Sequence, residues 1–357
     1  MSRNALICAR LLRWICAGSC FCLLPATAFR SAAQPPPAVS ATNPASARVI
    51  IVSDPGATAV FQPVPEKIQA LVDKAVTNFT GKATARAAWL SLVSTNDTVG
   101  IKVFSTPGPL SGTRPAVVAA VVQDLLAAGL PPGRIIVWDK RAPDLKAAGF
   151  LEFEQRFGIR VKASIDTGYD EKIFYDTPLL GNLIWTDFEF GKKGKGVGRK
   201  SYVSKLVSQE ITKIINITPM LHHNLVGVSG NLYSLAIGSV DNTARFESDA
   251  DSLAKAVPEL YALPALGDRV VLNIVDALIC QYEGQQHTLL QYSTVLNQLR
   301  FSRDPVALDV LSLKEIQLQS ELADMPMSRT NLDLFSNAAL LEIGINEPAR
   351  IRVEKIP

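Results

Sequence analysis

TVGIKVFSTPGPLSGTRPAVVAAVVQDLLAAGLPPGRIIVWD, residues 98–139, reads as a strand, a helix and a second strand in succession. TVGIKVF (98–104) and RIIVWD (134–139) are apolar, β-branched runs with little polar alternation, the pattern of strands covered on both faces. Between them TRPAVVAAVVQDLLAAG offers Thr113 as a cap, Pro115 for the first turn and Gly129 as a stop. A helix of this length between two buried strands is the crossover of a βαβ unit, which joins parallel neighbours.

The same grammar extends along the chain. RVIIV (48–52), GIRVKA (158–163), EITKIINI (210–217), RVVLNIVD (269–276) and RIRVEKI (350–356) alternate with helical patterns, and no repeat of fixed period accompanies them. The predicted fold is α/β, a mostly parallel sheet with helices on both faces. Residues 176–203 stand apart. There LLGNLIWTDFEF is followed by GKKGKGVGRKSYV, which reads as a small β-hairpin insertion with a basic, glycine-rich tip. The tip is not a Walker loop, because Val197 follows Gly196 where Lys-Ser or Lys-Thr would meet phosphate and magnesium. Lysine and glycine are also the ordinary composition of an exposed turn.

Bulk composition sets further bounds. A 357-residue chain that is 48% hydrophobic and 19% charged has ample material for a core. Its formal charge of +3 comes from Arg3, Arg10 and Arg13 near the start of the chain, and the rest is balanced, which argues against a nucleic-acid partner. Those arginines, the apolar WICAGSCFCLL and the small residues Ala26-Thr27-Ala28 form the pattern of an export signal over residues 1–28, so a periplasmic or extracellular protein is expected. The apolar core is about half of the ~20 residues a membrane span needs, so no membrane span is expected after leader cleavage. Residues 29–47, rich in Pro, Ala and Ser, read as a flexible linker, and residues 48–357 as a single domain. Cys8, Cys16, Cys20 and Cys22 fall in the leader, leaving Cys280 alone. Cysteine-held iron-sulfur clusters and four-cysteine zinc sites are thereby excluded, and Cys280 in DALICQY reads as a small core residue.

In open α/β sheets ligands bind beyond the carboxyl ends of the strands. The segments that leave those ends are therefore the place to look. STPGPLSGTR brings Thr113 and Arg114, RIIVW leads to Asp139 with Lys140 and Arg141 behind it, and EITKIINI leads through Asn216 to His222 and His223. GVSGN then opens a helix with Gly227, Ser229, Gly230 and Asn231, while RVVLNIV leads to Asp276 and on to Cys280 and His287. TVLNQLRF before SRDPVALD would put Arg303 or Asp304 on the same edge. All three histidines thus fall in loops after strands, although neighbours in extended chain face opposite ways, so His222 and His223 do not serve one site. A transition metal would need His223 to combine with His287 or a carboxylate from another loop. Ser229 is not the nucleophile of a G-x-S-x-G elbow, since Asn231 stands where the last glycine belongs.

Four stretches in this order, VGIKVF through WDK, IINITPMLHHNLVGVSGNLYSLAIGSV, VVLNIVDAL and SRDPVALDVL, resemble the bacterial and archaeal family called domain of unknown function 362, over roughly residues 98–345. The resemblance implies the fold class and the position of the site more than a reaction. Some relatives carry a ferredoxin-type cluster segment that this chain lacks. A more local similarity is to nickel-pincer lactate racemases, in which a catalytic histidine is followed by glycine at plus four, Ser or Thr at plus six and a cofactor-bearing lysine at plus ten. That register selects His223, Gly227 and Ser229, with Tyr233 in place of the lysine. Tyrosine supplies neither the amine linkage nor the positive charge, which argues against covalent attachment of a pincer cofactor. The expectation is an exported protein that binds a small anionic ligand or cofactor, with His223 as acid, base or donor and the GVSGN amides holding the negative charge. The alternative is a non-catalytic binding protein that has lost the lysine, carrying either a small molecule or a metal.

Overall fold

The computed structural model describes residues 46–284, 287–325 and 330–357. The leader at 1–28 and the linker at 29–47 lie outside the described residues, except Ser46 and Ala47. Each β-branched run singled out from residue 48 onward forms a strand, and the described residues add further strands between them. In chain order these are β1 (Ala47–Ser53), a short ribbon of β2 (Thr58–Ala59) and β3 (Gln62–Pro63), then β4 (Val99–Val103), β5 (Ile135–Asp139) and β6 (Arg160–Ala163). There follow β7 (Tyr169–Asp176), β8 (Lys200–Ser204), β9 (Lys213–His223), β10 (Gly227–Val228), β11 (Val270–Gln281), β12 (Ser293–Ser302) and β13 (Ile351–Ile356).

The main sheet has the order β13-β1-β12-β11-β9-β4-β5-β6, with β10 folded back on β9. Its neighbours run parallel except where β12 lies between β1 and β11 and where β10 returns along β9. All five residues of β4 and of β5 are buried, as strands sandwiched between helices must be. Ile101, Val103, Ile135 and Val137 pack with the helices Pro65–Thr80 and Pro115–Ala128. Phe104, Ile136 and Trp138 pack on the other side with Asn231–Ser239, Ala250–Tyr261 and Pro305–Leu322. This is the expected α/β architecture with helices on both faces.

Three local expectations are corrected. Thr113 does not cap the crossover helix, whose capping position is Arg114; its hydroxyl donates to the Ile217 carbonyl (2.8 Å) and accepts from the Phe104 amide (2.9 Å), tying the ends of β4 and β9. The antiparallel hairpin exists, but its first strand is β7 rather than LLGNLIWTDFEF, which is a long excursion between β7 and β8. Arg303 and Asp304 fall at the opposite edge, because β12 runs antiparallel to β11 and sets Ser302 beside Asn273 near the start of that strand.

The order of connections fixes where the sheet can open. The chain steps from β4 outward to β5 and β6, then returns to place β9 on the other flank of β4. The segments leaving β4 and β9 therefore diverge to opposite faces, which leaves a crevice at their carboxyl ends. On its floor lies an unusual core residue. Lys102, the penultimate residue of β4, is 0% exposed, and a buried ammonium persists only when paired and fully bonded. Its Nζ meets Asp139 Oδ1 at 2.8 Å, the Val103 carbonyl at 2.5 Å and Ser234 Oγ at 3.2 Å, so β4, β5 and the helix Asn231–Ser239 converge on one charge.

Room for that ammonium depends on Gly238, where a Cβ would stand 2.2 Å from Lys102 Cε. Alanine ordinarily stabilises a helix by ~1 kcal/mol over glycine. Gly238→Ala is nevertheless expected to destabilise the fold by ~1–3 kcal/mol, since the methyl overpacks a fully occupied site. Chemical denaturation measures the sign directly, and a stabilised variant would mean that the ion pair yields without cost.

Candidate functional site

At the crevice the structure has a cleft of about 390 Å³. Phe104 and Thr106 come from the segment after β4, Asp139, Lys140, Arg141 and Asp144 from the segment after β5, and Tyr233, Ser234 and Gly238 from the helix after β9. Ile184, Thr186 and Asp187 of the β7–β8 excursion and Thr243 and Glu247 complete the walls. Of the site residues read from sequence, Asp139 and Tyr233 line this cleft. Asp139 is already saturated: Oδ1 accepts from Lys102 Nζ and the Lys140 amide, and Oδ2 accepts from the amide and hydroxyl of Ser105.

Lys140 differs. Its half-buried Nζ donates to Thr243 Oγ1 at 2.6 Å, and among the described residues no carboxylate forms an ion pair with it. Burial lowers its pKa from the ordinary lysine value, Glu247 opposes that shift and Arg141 adds to it. Arg141 is exposed at the rim and likewise pairs with no carboxylate among the described residues. Asp187 is spent on the amides of Ile184 and Asn242. Asp144 accepts a long hydrogen bond from Thr106 (3.3 Å), and burial, followed by the charge of Asp139, raises its pKa. The cleft thus offers one half-buried cation with no carboxylate in contact among the described residues, although the charges of Glu247, Asp187 and Asp241 act on it from further off, and one carboxyl group pushed toward protonation.

The other residues face one another within the fold rather than the cleft, and some keep buried polar atoms that find no hydrogen-bond partner among the described residues, including Asn216 Oδ1, Ser229 Oγ and both ring nitrogens of His222. The GVSGN amides do hold an anion, as their position at a helix start suggests, but it is Asp309 of the helix Pro305–Leu322 rather than a ligand. Its carboxylate accepts from the Asn231 amide (2.7 Å), the Asn231 side chain (2.9 Å) and the Leu232 amide (3.0 Å), beside Gly230. Burial pushes the Asp309 carboxyl up to about 6 against those donors. With these amides occupied, the helix start is closed to a second anion. Asn216 donates to the Asn231 carbonyl (2.9 Å) and toward Asn273 (3.3 Å), linking β9 and β11 to the same helix. Arg114 and Asp276 form a second buried ion pair, Nη1 to Oδ1 at 3.0 Å, reinforced by the Arg114 amide on Oδ2 at 3.0 Å.

The histidine pair lies in strand rather than loop, as the last two residues of β9, paired across the turn with Val228 and Gly227. Gly227 makes that turn at φ +85°, in the left-handed region. The two rings part as alternation requires. His222 has Glu283 Oε1 3.8 Å from its Nδ1. His223 accepts from the Leu225 amide on Nδ1 (3.2 Å) and packs on the Tyr233 ring, centroids 4.6 Å apart. Its side chain is 2% exposed and stands behind Tyr233 rather than in the cleft wall. Ser229 is fully buried, and Cys280 is in the core with its thiol pushed up by burial. His287 is exposed. Among the described residues no three His, Cys, Asp or Glu side chains gather as a metal site. A pincer cofactor does not fit either: position 233 offers no amine, and the Nδ1 of His223 is occupied by a backbone amide.

Sequence reasoning passes over Lys102, Asp309 and Thr243, and names Lys140 and Arg141 without assigning them a role. The usable signal for Lys102 is a charge inside the otherwise apolar VGIKVF. Asp309 sits on a helix face, and nothing local marks it as the partner of amides 77 and 78 residues away.

Burial holds the His223 imidazole down to about 4, with His222 adding to the effect. A base whose folded pKa is depressed contributes its full stability above its unfolded value near 6.5 and loses it as pH falls toward the folded value. Relative to His223→Phe, the wild-type chain is therefore expected to lose ~2–3 kcal/mol between neutral pH and about pH 4.5. Denaturation curves of both chains at the two pH values check this. A constant difference would show a solvated ring.

No curated protein matches the chain. A crystal structure of a Thermotoga maritima protein is similar at 12% identity and a TM-score of 0.40; the match covers 72% of this chain and 59% of that one, so the chain spans under two thirds of its length. The family model described as a domain of unknown function (DUF362) matches residues 99–314. That is more than half of the sequence, from β4 into the helix that carries Asp309, and the chain belongs to that family.

Proposed function

We propose that the protein binds a small anionic molecule, a carboxylate or a phosphate, in the cleft at the carboxyl edge of β4, β5 and β9. Lys140 is the direct partner of its charge, Arg141 attracts it at the rim, and Phe104 and Tyr233 form an apolar wall with ring centroids 6.2 Å apart. The observation that carries this reading is the Lys140 ammonium, half-buried in the cleft with a hydroxyl and no carboxylate bonded to it. Partly desolvating a charge that has no contact ion pair is costly, distant Glu247, Asp187 and Asp241 offset only part of that cost, and an incoming anion offsets the rest. His223 supports the site from behind, as the surface on which Tyr233 rests.

Proton transfer on the bound anion is a second reading, and Asp144 favours it. Burial, followed by the charge of Asp139, shifts its carboxyl toward protonation, and it lines the same cleft, where such a group can exchange a proton with a bound anion. Export to the periplasm or beyond remains a proposal resting on the sequence of residues 1–28.

Calorimetric titration with monocarboxylates, dicarboxylates and inorganic phosphate tests the assignment. At least one of these anions is expected to bind, and Lys140→Met to weaken it about tenfold or more, which corresponds to ~1.4 kcal/mol. Undiminished affinity in Lys140→Met, or no binding by any of the anions, would refute it.

A further inference from the structure

The β7–β8 excursion, residues 177–199, turns an unusual combination of side chains to solvent. Leu180 is 67% exposed, Trp185 78% and Phe190 53%, with Leu179 and Ile184 exposed beside them. Isolated exposed apolar residues need no explanation, but five large ones within a dozen positions do. They adjoin Lys192, Lys193 and Lys195, all exposed. Lys192 lies over the Phe188 ring at 3.8 Å, which keeps that cation against an aromatic surface.

The acids of the same stretch do not offset these lysines on the outside. Asp187 is buried and accepts from the Ile184 and Asn242 amides. Glu189 accepts from the Tyr202 hydroxyl at 2.8 Å and the Gly198 amide at 2.9 Å. The excursion therefore folds its carboxylates inward and leaves an outer side of lysine, tryptophan, leucine and phenylalanine. A balanced overall composition conceals this local asymmetry.

We propose that this outer side docks on an anionic phospholipid surface. Tryptophan suits the headgroup level, leucine and phenylalanine the acyl boundary, and clustered lysines a negatively charged leaflet. Among the described residues no helix is long and apolar enough to cross a membrane, so the contact is a peripheral one. Because Ile184, Thr186 and Asp187 also wall the cleft, docking would bring the cleft close to the lipid headgroups.

Flotation of the full chain with phosphatidylcholine vesicles, with and without phosphatidylglycerol, tests the proposal. The leader is common to every arm, so the comparison between variants isolates the excursion. Wild type is expected to bind the anionic vesicles preferentially and to lose that preference at high salt. Lys192→Glu/Lys193→Glu/Lys195→Glu is expected to bind them at least tenfold less, and Leu180→Ser/Trp185→Ser to bind them less as well, with unchanged thermal unfolding because these side chains are exposed. In a Trp14→Phe chain the tryptophans other than Trp185 are Trp89 and Trp138, both fully buried. Quenching of the emission by brominated phosphatidylglycerol is therefore expected to report Trp185 in the lipid, and it needs no hairpin variant. Equal flotation of wild type and the lysine variant, or no quenching, would overturn the proposal. Binding to an acidic polypeptide without binding to vesicles would also overturn it, by reassigning the face to a protein partner.

Discussion

A lysine within a fully buried strand is the constraint around which this fold is organised. Lys102 cannot be hydrated where it sits, so three elements supply its acceptors: Asp139 from the end of β5, the Val103 carbonyl, and Ser234 from the helix after β9. Such an arrangement is worth little as net stability, because desolvation offsets most of the Coulombic gain, but it is costly to break and it fixes register. It sets the floor of the cleft. It also consumes Asp139, whose four acceptor bonds, one of them from the Lys140 backbone amide, leave nothing for the Lys140 ammonium.

Charge neutralisation elsewhere along this edge is internal. Arg114 answers Asp276, and Asp309 occupies the amides at the start of the helix Asn231–Ser239. A helix start capped by a carboxylate from a distant helix is a structural joint between two layers rather than a ligand site. Lys140 stands out by contrast, since its ammonium is in contact with a threonine hydroxyl and, among the described residues, with no carboxylate, Glu247 acting on it only from a distance. The electrostatic asymmetry of the cleft follows from the use of Asp139, Asp276 and Asp309 within the fold.

Much of the fold is legible in the sequence because periodicity is a local signal. The apolar runs fall on strands, Pro115 and Gly129 bound the crossover helix, and the hairpin insertion is located although its first strand is not. The direction of β12 is not legible, since an apolar run looks the same in a parallel or antiparallel neighbour; that ambiguity misplaces Arg303 and Asp304. The segments leaving the carboxyl ends of the strands lead to the edge where the cleft lies, and among the residues they supply Asp139 and Tyr233 line it. Nothing in those segments reveals that the GVSGN amides are taken by Asp309, or that His223 supports the wall instead of forming it. Both facts depend on contacts between segments far apart in the chain, and sequence spacing carries no information about them.

The central claim is that Lys140 is an ammonium awaiting an anion. Following its ε-methylene resonance through a pH titration, with the signal assigned by Lys140→Arg, measures this most directly. The account predicts an apparent pKa below that of an ordinary lysine in the free protein, rising when a bound carboxylate or phosphate is present. An ordinary value that no anion moves would contradict it.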